Sequence, residues 1–195
     1  MFLLCGKPRF NSMPVTRLTP AHAEPYRALM LEAYAHHPDA FTSSVAERSI
    51  LPVSWWQGRL ASGASANEVV FGVFIQEELA GVAGISFDTR EKTKHKSTLF
   101  GMYVPGRFRK QGIGRQLIGE VLRYAKTHPD TTITQLTVTV GNTPALKLYE
   151  SSGFMQFGTE PFAVRVGAEY VSKVHMWCNH LPPSDKNVET ETKTE

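Results

Sequence analysis

Two glycines separated by one residue, Gly112 and Gly114, follow a short basic run that contains Arg109 and Lys110. The residues before this segment have the pattern of a strand, and those after it have the pattern of a helix. The first turn of a helix carries unpaired backbone N–H groups and a partial positive charge. Glycine places no side chain between those groups and a ligand. The segment therefore predicts a turn that binds the pyrophosphate of a cofactor.

Two other glycine-rich motifs fit this turn poorly. A Walker loop needs Gly-Lys-Ser/Thr, whereas Arg115-Gln116 follow Gly114. A dinucleotide fingerprint needs a third glycine where Leu117 stands, and an acidic residue at the end of a parallel strand about twenty residues later. The corresponding segment, Thr139-Val140-Gly141, contains no acidic residue. The surviving pattern is Arg-x-x-Gly-x-Gly at Arg109, Gly112 and Gly114.

A second motif, Asn142-x-x-Ala145-x-x-Leu148-Tyr149-x-x-x-Gly153-Phe154, follows later in the chain. The two motifs, in this order, resemble the coenzyme A-binding core of the GNAT superfamily of N-acetyltransferases. The likeness covers nearly all of residues 13–180. It implies that acetyl-CoA is the acyl donor, without a metal, and that the whole turn contacts it: Arg109, Lys110, Gln111, Gly112, Ile113, Gly114 and Arg115.

The resemblance also implies where the thioester is held. In similar proteins the strand before the turn splays from its neighbour and frees backbone groups, here around Met102, Tyr103 and Val104, for contacts with the acetyl group and the pantetheine arm. Gly101 would ease such an irregularity, because glycine inside a strand often marks a bulge. Asn142 is implied to hydrogen-bond the pantetheine arm, with a plain turn or cap residue as the alternative.

The resemblance makes Tyr149 the candidate catalytic acid, which would protonate the leaving thiolate after direct attack by an amine. The alternative is an ordinary core tyrosine, since Tyr149 shares a helix face with Ala145 and Leu148. No general base is assigned. Some relatives carry a glutamate at the position of Thr98, which cannot act as a base, and the nearby His95 and Glu91 belong to a charged segment.

The resemblance also implies where the acceptor amine binds. In similar proteins the acceptor lies between the first two helices, their connection and the final hairpin. This implies substrate contacts from Phe41, Ser43 and Trp56, although packing is an equal alternative for the tryptophan. Further candidates are Thr42, Ser44, Trp55, Tyr170 and Val171. A subgroup of the family carries acidic residues where this chain has Ser172-Lys173, so cation recognition there is not predicted.

The elements that must position these residues form an α/β fold with a single mixed, mostly antiparallel sheet flanked by helices. Apolar periodicity and turn residues predict a strand, two helices, three strands, a helix, a strand, a helix and two strands. We expect residues 1–12 to be an extension, residues 13–180 to be one GNAT-like domain, and residues 181–195 to be a polar tail. The predicted elements are Val15–Leu18, a helix opened by Thr19-Pro20 and ended by His36-His37-Pro38, Pro52–Leu60, Val69–Gln76, Leu79–Phe87, Ser97–Val104, Gly112–Thr127, Thr132–Val140, a helix capped at Thr143-Pro144 and ended near Gly153, Phe162–Val166 and Tyr170–Cys178.

The composition limits the other functional classes. The 195 residues carry a formal net charge of +3, which is too diffuse for a nucleic-acid footprint. Arg107, Arg109, Lys110 and Arg115 form a basic cluster that a phosphate cofactor explains. Only two cysteines occur, so neither a disulfide framework nor structural zinc is predicted. No apolar run is long enough to span a membrane, and we expect a cytoplasmic monomer or homodimer.

The sequence thus predicts an N-acetyltransferase that acts on a primary amine of a small molecule, peptide or protein. One alternative is a catalytically idle, coenzyme A-binding regulatory module on the same fold. A third hypothesis, a nucleic-acid binder built on the basic turn, predicts steeply salt-dependent affinity for DNA or RNA.

Overall fold

The computed structural model describes residues 14–63 and 67–181, in which a seven-stranded sheet separates two helical layers. The predicted residues 1–12 lie outside this part, as does nearly all of the predicted tail. The strands are β1 (Val15–Arg17), β2 (Glu68–Ile75), β3 (Glu78–Phe87), β4 (Lys96–Tyr103), β5 (Ile133–Thr139), β6 (Met155–Val166) and β7 (Glu169–Asn179). The helices are α1 (Ala23–His36), α2 (Val45–Ser49), α3 (Val53–Arg59), α4 (Ile113–Thr127) and α5 (Thr143–Glu150).

The strand order across the sheet is β1-β2-β3-β4-β5-β7-β6. Every neighbouring pair is antiparallel except β4 and β5, which run parallel and are connected through α4. This arrangement confirms the mixed, mostly antiparallel sheet that the sequence predicted. Two short 3₁₀ turns, Pro20–His22 and Gly106–Phe108, precede α1 and α4.

Each face of the sheet carries its own hydrophobic core. Side chains alternate along β2, so that Phe71 and Val73 face the core under α4 while Val70 faces the core under α1 and α3. In α4, Leu117, Ile118, Val121 and Ala125 are fully buried. Burying each such side chain contributes about 1.5–3 kcal/mol relative to exposure. The two helical layers are therefore anchored independently on one sheet.

The structure corrects the sequence-based elements in three places. A short helix, α2, occupies the segment between the first two predicted helices, where no element was predicted; Ser44 caps it and Glu47 closes the capping box. The cap of α5 is Asn142 rather than Thr143, because the Asn142 Oδ1 accepts the Ala145 N–H at 3.2 Å. Strand β6 begins seven residues before the predicted start, at Met155 instead of Phe162. None of the described helices has the length and apolarity needed to cross a bilayer.

Candidate active site

The site is organised by an irregularity in β4. In the part of the chain that the structure describes, this strand pairs with β5 only from Lys96 to Thr98, so its remaining residues up to Tyr103 have no strand partner on that side. On the opposite edge the register with β3 shifts between Tyr103 and Phe100, which places one extra residue in β4. Gly101 lies in this bulge with φ +60°, a conformation that L side chains rarely adopt. The predicted separation of this strand from its neighbour is confirmed on the β5 side, and Gly101 lies in a bulge on the β3 side, as its conformational freedom suggested.

The turn after β4 opens the N-terminus of α4. Gly112 precedes the helix with φ +80°, and the first paired helical amide is that of Gln116, which donates to the Gly112 carbonyl at 3.1 Å. Gly114 is constrained by its neighbours, since an added Cβ would lie 3.0 Å from Leu148 and 3.1 Å from Met102. The two glycines therefore have different functions. Gly112 supplies the backbone conformation, and Gly114 lets α4 approach α5 and β4.

The basic cluster around the turn divides into tethered and exposed side chains. Arg107 forms ion pairs with Glu32 at 3.0 Å and Glu78 at 2.7 Å. The attribution of its charge to a phosphate ligand was therefore wrong, because two carboxylates already neutralise it. Arg109 donates to the Val104 carbonyl at 2.9 Å and contacts His37 at 3.0 Å, which fixes the turn against the end of β4.

The remaining residues of the turn are accessible. Lys110, Gln111 and Arg115 are exposed, and Lys110 has a positive φ of 63°. Ile113, by contrast, is buried beneath the helix start, so it offers a ligand only its backbone N–H. A group with several anionic oxygens at this position would meet backbone donors, a helix dipole and the cations of Lys110 and Arg115, which form no ion pair within residues 14–63 and 67–181. This donor set fits a diphosphate.

Tyr149 lies on the α4 side of the sheet, across the β4 bulge from the layer formed by α1 and α3. Its hydroxyl donates to the Met102 Sδ at 3.4 Å, and its ring packs edge-on against Phe154. Only 8% of its surface is exposed. Burial raises the pKa of Tyr149 to about 12, because desolvation disfavours the phenolate. The side chain is therefore both a core residue and a neutral hydrogen-bond donor aimed at the strand predicted to hold the thioester.

The three residues predicted to contact the acetyl and pantetheine groups have different surroundings. Met102 faces Tyr149, and Val104 packs against the core under α4. The side chain of Tyr103 points into the other core, where its hydroxyl donates to Glu32 at 3.0 Å. Tyr103 therefore offers only its backbone on the β5 side. Asn142 uses its carbonyl oxygen to cap α5, which leaves its amide N–H groups for a ligand.

The residues considered as a base lie away from the bulge. Thr98 is exposed, and Glu91 forms an ion pair with Lys94 in the loop before β4. His95 immediately precedes β4, whose rise of about 3.3 Å per residue places it about 20 Å from Met102. A row of cross-strand neighbours instead joins Thr98 to Ser86 and Ser86 to Glu68. Glu68 is thus a carboxylate on the same sheet face, which sequence reasoning missed.

A cavity of about 270 Å³ opens on this face, between α1, the α1–α3 connection and strands β2–β4. It is lined by the predicted Phe41, Thr42 and Ser43, and also by Gly101 in the β4 bulge. Trp56 does not line it, since its side chain is fully buried against Tyr26 and Trp55 behind the wall. The remaining lining residues are Tyr26, Met30, Tyr34, Arg48, Arg59, Glu68, Ser86 and Phe100.

The final hairpin contributes to this side through a buried lysine. Tyr170 and Val171 do not line the cavity; Tyr170 packs edge-on against Phe162 on the exposed hairpin. Lys173 is only 4% exposed, and its Nζ donates to the carbonyls of Asp39 at 2.9 Å and Ala40 at 2.7 Å. Desolvation lowers the pKa of Lys173. The lysine thus ties the start of the loop that carries Phe41 to β7.

The charged cavity residues come from elements far apart in the sequence. Arg48 lies on α2, Arg59 ends α3 and Glu68 begins β2. Arg48 lies 4.6 Å and Arg59 5.6 Å from the ring centroid of Trp55, so one indole orders both guanidinium groups. The spacing of Trp55 and Arg59, four residues apart on one helix, was a usable local signal. Nothing local placed Arg48 or Glu68 beside them.

Comparisons with known proteins agree with this geometry. The sequence model of the Acetyltransferase (GNAT) family matches residues 27–154. Among curated proteins, the L-amino acid N-acetyltransferase AaaT of Escherichia coli (strain K12) is 31% identical over 122 residues, which are 62% of this chain and 73% of that protein.

Solved structures share the fold at lower identity. The acetyltransferase of the GNAT family from Streptococcus pneumoniae superposes with a TM-score of 0.78 at 21% identity, over 86% of this chain and 99% of that one. The protein yncA of Salmonella typhimurium, solved with its cofactor acetyl-CoA, gives 0.71 at 15% identity, over 89% and 98% of the chains. The family match, its extent and the glycine turn beside a parted β4 together establish that this chain belongs to the GNAT acetyltransferase family.

Proposed function

We propose that this chain transfers an acetyl group from acetyl-CoA to the primary amine of a small molecule. The observation that carries the proposal is the position of the β4 bulge. Gly101 lines the cavity on one face of the sheet. On the other face, the sulfur of the next residue, Met102, accepts a hydrogen bond from the Tyr149 hydroxyl. An acyl group held along the unpaired part of β4 would therefore meet an acceptor amine and a hydrogen-bond donor for the departing sulfur.

The donor would be held by the groups described above. The N-terminus of α4, with Lys110 and Arg115, is proposed to bind the diphosphate, and the unpaired backbone of Met102–Val104 and the Asn142 amide are proposed to hold the pantetheine arm. Acetyl-CoA supplies an activated acyl carbonyl there. The backbone donors of β4 would stabilise the negative charge that develops on the carbonyl oxygen.

The transfer balances as one displacement. The neutral amine attacks the carbonyl carbon, a C–N bond forms, the C–S bond breaks, and the electron pair stays on sulfur. The nitrogen passes its extra proton to water. Glu68, a carboxylate on the cavity wall, can accept that proton from the water. Cavity size supports a small acceptor, since ligand pockets begin at roughly 300 Å³. The similarity to AaaT, named for L-amino acids, supports the same class of acceptor.

Tyr149 is proposed to act as a hydrogen-bond donor to sulfur. The pKa of Tyr149, which burial raises to about 12, lies above that of an ordinary thiol, about 8.5, so complete proton transfer to the thiolate would be uphill. A hydrogen bond to the developing thiolate carries no such penalty and is worth about 1.5–3 kcal/mol. In this scheme the thiolate takes its proton from solvent after release.

The experiment is a panel of primary amines incubated with labelled acetyl-CoA and followed by thiol release and acetylated product. We expect product from at least one small amine, at a rate that scales with enzyme concentration. Binding of acetyl-CoA without acetylation of any amine in the panel would instead identify an idle coenzyme A-binding module. Absence of acetyl-CoA binding would reject both.

A further inference from the structure

We propose that Arg48 and Arg59 recognise a carboxylate on the acceptor, so that the substrates are small amines that also carry a carboxylate, with free α-amino acids as the simplest members. This inference rests on the proposed function, because it concerns the same cavity. It adds the chemical group by which the cavity selects among amines.

Arg48 is the first part of the argument. Its Nε and Nη2 donate to the Ser43 hydroxyl at 3.0 and 2.8 Å, and its guanidinium stacks on Trp55. Within residues 14–63 and 67–181 it has no carboxylate within ion-pair distance. A half-buried, oriented guanidinium without an anionic partner is suited to bind a carboxylate ligand, because its planar donors match the two oxygens.

Arg59 and Glu68 are the second part. The Arg59 Nη2 lies 3.3 Å from the Glu68 Oε2, and the guanidinium stacks 4.9 Å from the centroid of Phe100. The ion pair with Glu68 and a hydrogen bond to Tyr26 leave further donors of Arg59 for a ligand, since a guanidinium has five N–H groups. Glu68 adds an acceptor that an amino group requires. The cavity thus offers donors for a carboxylate and an acceptor for the amine.

The charge balance of the cavity favours this substrate class. Two guanidinium groups and one carboxylate give its wall a net charge of +1. The form of an amino acid that can attack a thioester has a neutral amine and an ionised carboxylate, and so carries −1. A plain alkylamine brings no anion to this wall, and its protonated form is repelled by both arginines. Carboxylate recognition therefore selects the compound, because the carboxylate is ionised in the reactive form of an amino acid and absent from a plain alkylamine.

The aromatic residues of the cavity wall form a surface for the side chain of the acceptor. Tyr34 and Phe41 meet edge-on with centroids 5.3 Å apart, and Phe100 lies on the opposite strand wall. These surfaces accept an apolar or unsaturated side chain of modest size. We therefore expect selection among amino acids to depend on the side chain less steeply than on the carboxylate.

The test compares L-amino acids with apolar, polar and charged side chains, each paired with its own carboxamide, as acceptors for the wild-type protein. The carboxamide keeps the side chain and removes the anion, and because it also lowers the pKa of the amine, kcat/KM is compared per concentration of neutral amine. We expect the acid of the preferred pair to have a kcat/KM at least about tenfold higher, mostly through KM, as charge-assisted hydrogen bonds imply. Equal values for the acid and the amide in every acetylated pair would overturn the inference while leaving the acetyltransferase intact.

Variants assign the effect to residues. Arg48→Met should raise KM for the acid by at least about tenfold and change KM for its amide by less than about threefold, while Arg48→Lys restores part of the loss. Arg123→Met, on the exposed face of α4, is the matched control and should leave both substrates unchanged. If KM rises equally for the acid and the amide in Arg48→Met, with an unchanged melting temperature, Arg48 supports the loop structure. That result would contradict carboxylate recognition.

A binding measurement separates this inference from the proposed function. The same acid and amide pairs are titrated by calorimetry into protein saturated with coenzyme A. Selective binding of an acid without any acetylation would support the carboxylate site and reject the enzyme proposal. If no acid binds and none is acetylated, the carboxylate site is rejected.

Discussion

The proposed donor-binding region and the proposed acceptor-binding region of this molecule, the donor side and the acceptor side, differ in which chemical groups form them. The donor side is mostly backbone: the N-terminus of α4, two glycines and the unpaired part of β4, all within residues 96–115. The acceptor side is made of side chains from α1, α2, α3, β2, β3 and β4 that meet only in the folded chain. A binding site formed by backbone groups can therefore be predicted from one short sequence segment, whereas a site formed by side chains depends on tertiary packing.

The largest effect should follow from a change at the closest approach on the donor side. Gly114→Val adds a branched side chain where Leu148 and Met102 already lie 3.0 and 3.1 Å from a single Cβ. We expect acetyl-CoA affinity to fall by about a hundredfold or more, because α4 must shift away from β4 and no longer aligns its N–H groups. Isothermal titration calorimetry with acetyl-CoA measures this.

Gly119→Ala, in the same helix, is the matched control for that variant. An added Cβ there meets nothing within 4 Å, so affinity should be unchanged and helix stability should rise by roughly 0.5–1 kcal/mol. If Gly114→Val binds acetyl-CoA as the wild type does, the donor side does not depend on close backbone approach.

The next effect joins the two sides at the β4 bulge. Tyr149→Phe removes the hydroxyl that donates to the Met102 sulfur and keeps the ring packed on Phe154. We expect kcat to fall by about 10- to 150-fold, the equivalent of one hydrogen bond to a charged acceptor, with little change in either KM. Steady-state kinetics on the best amine measures it, and Tyr124→Phe, whose ring packs under α4 against Phe71, is the control. An undiminished kcat would remove Tyr149 from the chemistry.

A smaller effect should be confined to the acceptor side. Lys173→Met removes the ammonium that ties the carbonyls of Asp39 and Ala40 to β7. The freed loop carries Phe41 and Ser43, so KM for the amine should rise by about three- to tenfold, while acetyl-CoA affinity stays the same. The Ala40 carbonyl loses its donor, while the Asp39 carbonyl keeps the Thr139 hydroxyl, so the free energy of unfolding should fall by about 1–3 kcal/mol. Equal weakening of amine and acetyl-CoA would show that the two sides are not separable.

The smallest effect concerns pH. Because burial raises the pKa of Tyr149 to about 12, its hydroxyl stays protonated at neutral and moderately alkaline pH. The pH profile of kcat should therefore show no fall from loss of this proton below about pH 11. An alkaline limb centred near pH 10 that disappears in Tyr149→Phe would mean that the phenol is far less desolvated than its surroundings indicate.

The same contrast explains what the sequence could and could not predict. The glycine turn, the bulge at Gly101 and nearly all strands were predictable, because each depends on residues close together in the chain. Arg107 was assigned to phosphate because its partners, Glu32 and Glu78, lie 75 and 29 residues away. Helix α2 was missed because five residues give almost no periodic signal, although Ser44 and Glu47 form a capping box.

At the acceptor side, residue type alone was misleading. Trp56 was a candidate for substrate contact, yet it is fully buried, while its neighbour Trp55 orders two arginines at the cavity. Which of two adjacent tryptophans faces the core depends on how α3 packs on α1. That packing is decided by contacts between helices rather than by the residues of α3.

The most direct test of the account is a crystal structure of the complex with acetyl-CoA. The account predicts diphosphate oxygens within hydrogen-bond distance of the backbone at Gly112–Gly114. It also predicts the thioester beside Met102, with its sulfur in reach of the Tyr149 hydroxyl and its carbonyl carbon facing the cavity at Gly101. A thioester bound away from the β4 bulge, or a diphosphate bound away from the start of α4, would contradict it.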